Sequence, residues 1–127
     1  MPERAFPVVY ATDVGQTAWF WQRLGFEPHY QFPDGGEPGY VGLRRGASEL
    51  GVTAADWPRQ RYGLAPGRGP RYEMYVYVAD VDALVAELRG AGVPVLAEPD
   101  DLPWGERLAT VADPDGNPVA LCNERAG

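Results

Sequence analysis

The sequence contains no lysine and no isoleucine, only one cysteine and one histidine, and no long uninterrupted run of apolar residues. The absence of lysine excludes Schiff-base and other lysine-based chemistry. The single cysteine, Cys122, excludes an internal disulfide framework and favours a cytoplasmic location. No apolar stretch approaches the roughly 20 residues of a membrane-spanning helix, and the first residues lack the pattern of a signal peptide.

Positive charge is also scarce. All 11 basic residues are arginine, and the 18 acidic residues outnumber them to give a net charge of −7. A protein that binds nucleic acid needs a basic surface, and an acidic protein is repelled by anionic membranes. We therefore expect neither partner. The length of 127 residues, 45% of them hydrophobic, suits one domain with a sizeable core.

A short segment occurs twice, 67 residues apart. Residues 9–14 read Val-Tyr-Ala-Thr-Asp-Val, and residues 76–81 read Val-Tyr-Val-Ala-Asp-Val. Repeats of this kind arise when one structural unit occurs twice. The sequence therefore predicts a single domain, residues 1–127, that contains a first module at about 4–55 and a second at about 71–124. Residues 56–70 are rich in Gly, Pro and Arg and are predicted to form the linker.

Each repeat begins as an apolar strand followed by an amphipathic helix. Asp13 and Asp80 precede the helices at the position of an N-cap, and Gly25 and Gly92 follow them as left-handed C-terminal glycines would. Short strands separated by turn-forming residues follow each helix. The pattern predicts an α+β fold with the order βαβββ in each of two tandem modules.

Two motifs in the second module strengthen a resemblance to a known family. Residues 103–107 read Pro-Trp-Gly-Glu-Arg, and residues 113–117 read Asp-Pro-Asp-Gly-Asn. With the βαβββ repeat, they resemble the vicinal-oxygen-chelate superfamily of glyoxalases, extradiol dioxygenases, and fosfomycin- and bleomycin-resistance proteins. They are most similar to its metal-free, drug-binding antibiotic-resistance branch. The resemblance implies a curved mixed sheet that forms a concave cup, with helices outside, and a homodimer that shares its cups.

The enzymes of this superfamily hold a divalent metal ion at four strand positions that face the cup. The resemblance places these positions at Phe6, about Gly51, Glu73 and Ala120. Of these four side chains, only that of Glu73 could bind a metal. The single histidine, His29, is expected at the surface and away from these positions. We therefore expect no metal and no other cofactor.

The candidate ligand-binding residues follow from the resemblance and from strand alternation. If Glu73 faces the cup, Tyr75 faces it too, and Phe6 and Tyr10 share one side of the first strand. The full set of candidates is Phe6, Tyr10, Phe32, Tyr40, Trp57, Tyr62, Glu73, Tyr75, Trp104 and Arg107. Aromatic side chains with few polar groups suit an apolar, flat ligand.

Several roles in this set have two interpretations. Trp104 either stacks on the ligand or packs its loop onto the sheet. Glu73 either contacts a polar group of the ligand or forms an ion pair with Arg107 or another arginine. Trp57 and Tyr62 either contact the ligand or anchor the linker.

The favoured function is non-catalytic binding of a hydrophobic aromatic antibiotic, which is thereby kept from its target. One alternative is an enzyme of the same superfamily, a lyase, isomerase or dioxygenase that acts on a small metabolite. Another is a binding protein for a metabolite or biosynthetic intermediate unrelated to resistance.

Overall fold

The computed structural model describes residues 4–124. The chain divides into two compact units between Gly67 and Arg68. The elements of unit 1 are β1 (Val8–Ala11), α1 (Val14–Arg23), β2 (Glu27–Phe32), β3 (Tyr40–Arg45), β4 (Ser48–Ala54) and α2 (Trp57–Tyr62). Those of unit 2 are β5 (Met74–Tyr77), α3 (Val81–Gly90), β6 (Val95–Asp101), β7 (Glu106–Ala112) and β8 (Pro118–Glu124). The predicted α+β class and the repeated βαβββ order are confirmed.

Each unit contains one four-stranded mixed sheet, and the two sheets have the same topology. The strand orders are β1-β4-β3-β2 and β5-β8-β7-β6. The first strand of each unit pairs in parallel with the last, and the other pairs are antiparallel. The helices α1 and α3 begin at Val14 and Val81, which keeps the 67-residue offset of the sequence repeat. The cup that the resemblance implies involves both modules and stays a prediction.

The helix ends follow the local sequence signals. Oδ1 of Asp13 accepts a hydrogen bond from the backbone N–H of Gln16 at 3.0 Å, and Asp80 caps α3 in the same way. Gly25 and Gly92 have φ angles of +92° and +86°, a region that residues with a Cβ rarely enter. These glycines end the helices and turn the chain back toward the sheet.

The core of each unit lies between its longer helix and one side of its sheet. In unit 1 the largest buried side chains are Phe20 and Trp21 of α1, which pack edge to face, and Leu43 of β3. In unit 2 the buried residues include Val85 and Leu88 of α3. The other side of each sheet carries exposed aromatic residues, among them Tyr30 and Phe32 in unit 1 and Tyr75 and Tyr77 in unit 2.

The predicted linker contains the short helix α2. Pro58 lies in its first turn, where proline leaves no intrahelical hydrogen bond unmade, and Gly63 ends it with a φ angle of +73°. The helix begins with Trp57, so the segment places a large aromatic side chain beside the sheet of unit 1.

The turn at residues 113–117 is held by a buried carboxylate. Asp113 is only 2% exposed, and its Oδ1 accepts backbone N–H groups of Asp115 at 3.0 Å and Asn117 at 2.8 Å. Its Oδ2 accepts the hydroxyl of Tyr72. The side-chain oxygen of Asn117 in turn accepts the backbone N–H of Arg71 at 2.8 Å. The turn therefore fixes the residues that lead into β5.

No helix within residues 4–124 combines the length and the hydropathy that crossing a bilayer requires.

Candidate functional site

Side chains in unit 1 alternate between the two sides of the sheet. Val9 and Val52 are buried on the side that packs against α1, whereas Val8 is 43% exposed on the other. The other side carries aromatic residues from three strands and from the segment before β1. We call this set the first aromatic face: Phe6, Tyr10, Tyr30, Phe32 and Tyr40.

A concave pocket of about 620 Å³ opens on the first aromatic face. Phe32 and Tyr40 come from adjacent strands, and Trp57 comes from the start of α2. The rest of this aromatic pocket is lined by Val8, Gly39, Thr53, Ala54, Asp56 and Gln60. Small-molecule sites have volumes of roughly 300–1,000 Å³ and are mostly apolar with a few polar groups. The aromatic pocket has both properties.

A second pocket of about 460 Å³ lies beside the first and shares Tyr40 with it. This polar pocket contains an ion pair in which Arg4 donates two hydrogen bonds to Glu49, at 2.6 Å and 3.0 Å. The guanidinium of Arg4 also lies 5.4 Å from the ring centroid of Phe6. Hydrogen bonding to Arg4 lowers the pKa of the Glu49 carboxyl, so the pair is ionised at neutral pH.

His29 is at the surface, as expected from the sequence, but its ring also reaches the polar pocket. The side chain is only 25% exposed, and its Nε2 lies 3.7 Å from Oε1 of Glu49. The reason is an irregularity in the pairing of β2 with β3 between Pro28 and Tyr30, which places an extra residue there. The expectation that His29 is remote from Phe6 is wrong, because both residues line this pocket.

Three of the four residues that the resemblance places at the superfamily's metal positions, Phe6, Gly51 and Ala120, offer no metal-binding side chain, and Glu73 is the fourth. A Cβ atom at Gly51 would lie 2.5 Å from the hydroxyl oxygen of Tyr40, so that side chain already fills the space of a ligand there. Phe6 and the buried Ala120 offer no donor atom. Within residues 4–124, no three His, Cys, Asp or Glu side chains converge as metal ligands would.

Unit 2 presents a second aromatic face, which we define as Tyr75, Tyr77 and Trp104. Val76 between the two tyrosines is buried, whereas Tyr75 is 51% exposed, so β5 alternates as predicted. Trp104 lies in the turn between β6 and β7 and is 64% exposed. Gly105, with a φ angle of +94°, allows the tight turn that carries the indole.

The carboxylate of Glu106 joins two members of the second aromatic face. Its Oε1 accepts the indole N–H of Trp104 at 2.9 Å, and its Oε2 accepts the hydroxyl of Tyr77 at 2.6 Å. The hydrogen bond to Glu106 raises the pKa of Tyr77 to about 12, so this hydroxyl remains a donor at neutral pH. With its N–H already used, the indole of Trp104 offers a ligand mainly its ring.

Arg107 does not form the ion pair with Glu73 that the sequence left open. Its guanidinium donates two hydrogen bonds to Asp82, at 2.7 Å and 3.0 Å, and one to Asp101 at 2.9 Å. These carboxylates raise the pKa of Arg107 further above its usual range. Among residues 4–124, Glu73 has no ion pair with any arginine, and it is exposed beside Tyr75.

The structure thus brings together only some of the candidate residues. Phe32, Tyr40 and Trp57 share the aromatic pocket, and Phe6 joins Tyr40 at the polar pocket. The half-buried Tyr10 of β1 and the exposed Tyr62 at the end of α2 lie outside both pockets.

Sequence reasoning missed the roles of Arg4, Glu49 and Glu106. Glu49 could have been found, because it lies two residues before Gly51 on the same strand and therefore on the same side. The pairing of Arg4 with Glu49 and that of Tyr77 with Glu106 join segments far apart in sequence, for which the sequence gives no local signal.

The chain contains two βαβββ units, and one side of each sheet carries aromatic residues. Its class is therefore an α+β fold with a repeated module, and unit 1 contains pockets of a size that suits small molecules. The chain belongs to the Glyoxalase/Bleomycin resistance protein/Dioxygenase superfamily, whose family model matches residues 5–121.

Similar proteins extend this result at the level of the fold. The structure of hypothetical protein SA1046 from S. aureus superposes with a TM-score of 0.78 at 21% identity, over 96% of this chain and 94% of that one. TioX from Micromonospora sp. ML1 gives 0.76 at 22% identity, over 95% and 98%. Among curated proteins, CFP32 of Mycobacterium tuberculosis, provisionally named a glyoxylase, is 41% identical over 51 residues. That match covers 40% of this chain and about a fifth of the length of CFP32.

Proposed function

We propose that this protein binds a hydrophobic, aromatic small-molecule antibiotic and sequesters it without chemical change. The observation that carries the proposal is the aromatic pocket, in which Phe32, Tyr40 and Trp57 border about 620 Å³ of space. Aromatic rings from three different elements can enclose a flat ligand by stacking and edge contacts. Sequestration requires only affinity and sufficient protein, because the antibiotic is held away from its target.

The second aromatic face is part of this proposal. Tyr75 and Trp104 expose large ring surfaces in unit 2, and Glu73, two residues before Tyr75, supplies an exposed carboxylate. Exposed aromatic side chains in such a group commonly mark a binding surface. We assign Trp104 the role of stacking on the ligand, and Glu73 that of a polar contact to it.

A nucleophilic mechanism has little support. Cys122 is buried in β8, and burial raises the pKa of its thiol, which keeps it protonated and unreactive. The Cys122 Sγ lies 3.9 Å from the backbone oxygen of Val76. The cytoplasmic location that we propose suits this reduced, buried thiol.

The principal rival is an enzyme of the same superfamily, a lyase, isomerase or dioxygenase that acts on a small metabolite. Its specific support is the partial match to CFP32, which carries the provisional name of a glyoxylase. Such an enzyme would need its metal ligands at positions other than Phe6, Gly51 and Ala120. Metal analysis of protein purified without chelator separates the two functions, because a near-stoichiometric divalent metal would favour the enzyme.

Equilibrium dialysis against bleomycin, mitomycin C and an anthracycline, followed by mass spectrometry of the recovered compound, tests the proposal. We expect one of these antibiotics to bind with about one equivalent per chain and to be recovered unchanged. Conversion of the compound would contradict sequestration, and lack of binding to all three would reject this ligand class. Expression in a sensitive host separates resistance from the binding of a metabolite, because only sequestration raises the tolerated concentration of the bound antibiotic.

We further predict that the protein is a homodimer. Within residues 4–124, the outer strands of the two sheets, β1 and β2 in unit 1 and β5 and β6 in unit 2, each have one edge without a partner strand. Such edges are usually covered. A twofold arrangement is the commonest solution. Light scattering at micromolar concentration should give twice the chain mass of 13.9 kDa. A mass equal to that of one chain would refute the dimer.

A further inference from the structure

The centre of the unit 1 sheet contains a patch of bare backbone. Gly42 of β3 and Gly51 of β4 are direct cross-strand partners, and β3 and β4 are the two inner strands. Glycine weakens the interior of a strand, and it often marks a place where a ligand or another group approaches the backbone closely. Two opposed glycines in the middle of a sheet therefore call for a specific packing reason.

Tyr40 supplies that reason at Gly51, where a Cβ would lie 2.5 Å from the Tyr40 hydroxyl oxygen and 2.9 Å from Cζ. At Gly42 a Cβ would lie 3.3 Å from Nε2 of His29 and 3.6 Å from Cε1 of Tyr40, so two side chains pack closely there. The ring of Tyr40 also packs against Tyr30 at 6.0 Å between centroids, with the planes inclined by 63°. The ring of Tyr40 therefore packs on the backbone of Gly51 and against the ring of Tyr30, and these two contacts restrict its position.

The hydroxyl of Tyr40 has no hydrogen-bond partner among residues 4–124. It is the polar end of a half-buried side chain that lines both the aromatic pocket and the polar pocket. Burial raises the pKa of Tyr40 above its usual value, so the hydroxyl is protonated and can donate at neutral pH. The carboxylate of Glu49, which lines the polar pocket together with Tyr40, accepts two hydrogen bonds from Arg4.

We propose that Tyr40 determines ligand specificity by donating a hydrogen bond from its hydroxyl to a carbonyl or quinone oxygen of the planar ligand. The rings of the ligand lie in the aromatic pocket, and the oxygen points toward the boundary with the polar pocket. Tyr40 is the residue that lines both pockets, and its hydroxyl, which is free to donate, suits an oxygen acceptor rather than a donor group. The inference rests on the proposed function and goes beyond it by naming the chemical group that is recognised.

A matched pair of probes tests this role. Anthraquinone-2-sulfonate and anthracene-2-sulfonate have the same ring number and charge and differ in the two quinone oxygens. We expect the wild-type protein to bind the quinone about fivefold more tightly, the size of one neutral hydrogen bond. Tyr40→Phe should reduce that ratio to about one while leaving the affinity for the anthracene unchanged, because the ring remains in place.

Two further variants separate recognition from stability. Tyr72→Phe also removes one hydroxyl, but that group is bonded to Asp113, so this variant should unfold more easily and keep the wild-type ratio. Gly51→Ala adds a Cβ that must displace Tyr40, so the preference for the quinone should be lost although position 51 gains no polar group.

Three outcomes are distinguishable. A preference that Tyr40→Phe abolishes and Tyr72→Phe retains supports the inference. If both probes bind equally to the wild-type protein, or if Tyr40→Phe keeps the preference, the inference is overturned and the proposed function stands. If neither probe binds to the wild-type protein, the specificity of Tyr40 and the binding of flat aromatic ligands both fail.

Discussion

Trp104→Ala is expected to weaken binding of the antibiotic that the dialysis panel identifies by about tenfold or more. An aromatic face stacked on a planar ligand contributes about 0.5–1.5 kcal/mol beyond burial, and the buried area adds to that. The indole N–H of Trp104 donates a 2.9 Å hydrogen bond to Glu106, which restricts the side chain before the ligand binds. Less conformational entropy is therefore lost on binding. Fluorescence titration and dialysis both measure the change.

Trp104→Phe separates ring stacking from other contributions. Phenylalanine keeps an aromatic face but loses area and the hydrogen bond to Glu106, so its affinity should fall between those of the wild-type protein and the alanine variant. Because Trp104 is 64% exposed, neither substitution should lower the melting temperature appreciably. An alanine variant that is folded and binds as tightly as the parent would show that Trp104 only packs its loop.

Glu106→Ala tests the positioning of Trp104 without removing the ring. We expect a smaller loss of affinity than for Trp104→Ala, together with a changed indole emission, because the indole N–H then bonds to water. Tyr77 loses its hydrogen bond to Glu106 in the same variant, and its pKa should fall from about 12 toward the ordinary value of 10.0. Absorbance titration of the phenolate measures that change, and an unaltered titration would show that Glu106 does not hold Tyr77.

Asp113→Ala is expected to lower the free energy of unfolding by about 3 kcal/mol. The carboxylate is buried and accepts hydrogen bonds from two backbone N–H groups and from Tyr72, and its removal leaves these donors without an acceptor. An unsatisfied buried donor costs about 1–3 kcal/mol, and the turn also fixes the residues before β5. Urea unfolding followed by circular dichroism gives the change in free energy.

Glu98→Ala is a suitable control for this experiment. Glu98 is another acidic residue of unit 2, but its side chain is 68% exposed and pairs with Arg89 at the surface. Exposed ion pairs contribute little to stability, so the control should unfold at nearly the wild-type urea concentration. If Asp113→Ala also unfolds there, the network in this turn has no energetic importance.

The repeated fold could be predicted from the sequence because its signals are local. The capping residues Asp13 and Asp80, the glycines that end the helices and the alternation in β5 each act within a few residues along the chain. The same signals occur in both modules at a constant offset of 67 residues, so each module supports the prediction made for the other. The same locality explains why the side of β5 that Tyr75 occupies was predictable from its strand alone.

The candidate site could be predicted only in part, because residue type and strand side do not fix contacts across strands. The sequence identified Phe32, Tyr40 and Trp57 as candidates, but it gave no reason for them to share a pocket. Trp57 reaches that pocket because the predicted linker contains α2. The position of Gly51 against the ring of Tyr40 depends on the register of β3 with β4. That register brings Gly42 opposite Gly51.

The sequence by itself determined the α+β class and the two βαβββ modules. Only the tertiary structure decided that His29 joins Glu49 through an irregular strand pairing, and that Glu106 holds both Tyr77 and Trp104. Helix and strand formation depend on neighbours in the chain, whereas these contacts join residues from different strands and turns. They form only after the strands have paired in one register, and a one-residue change of register would turn each side chain to the opposite side of its sheet.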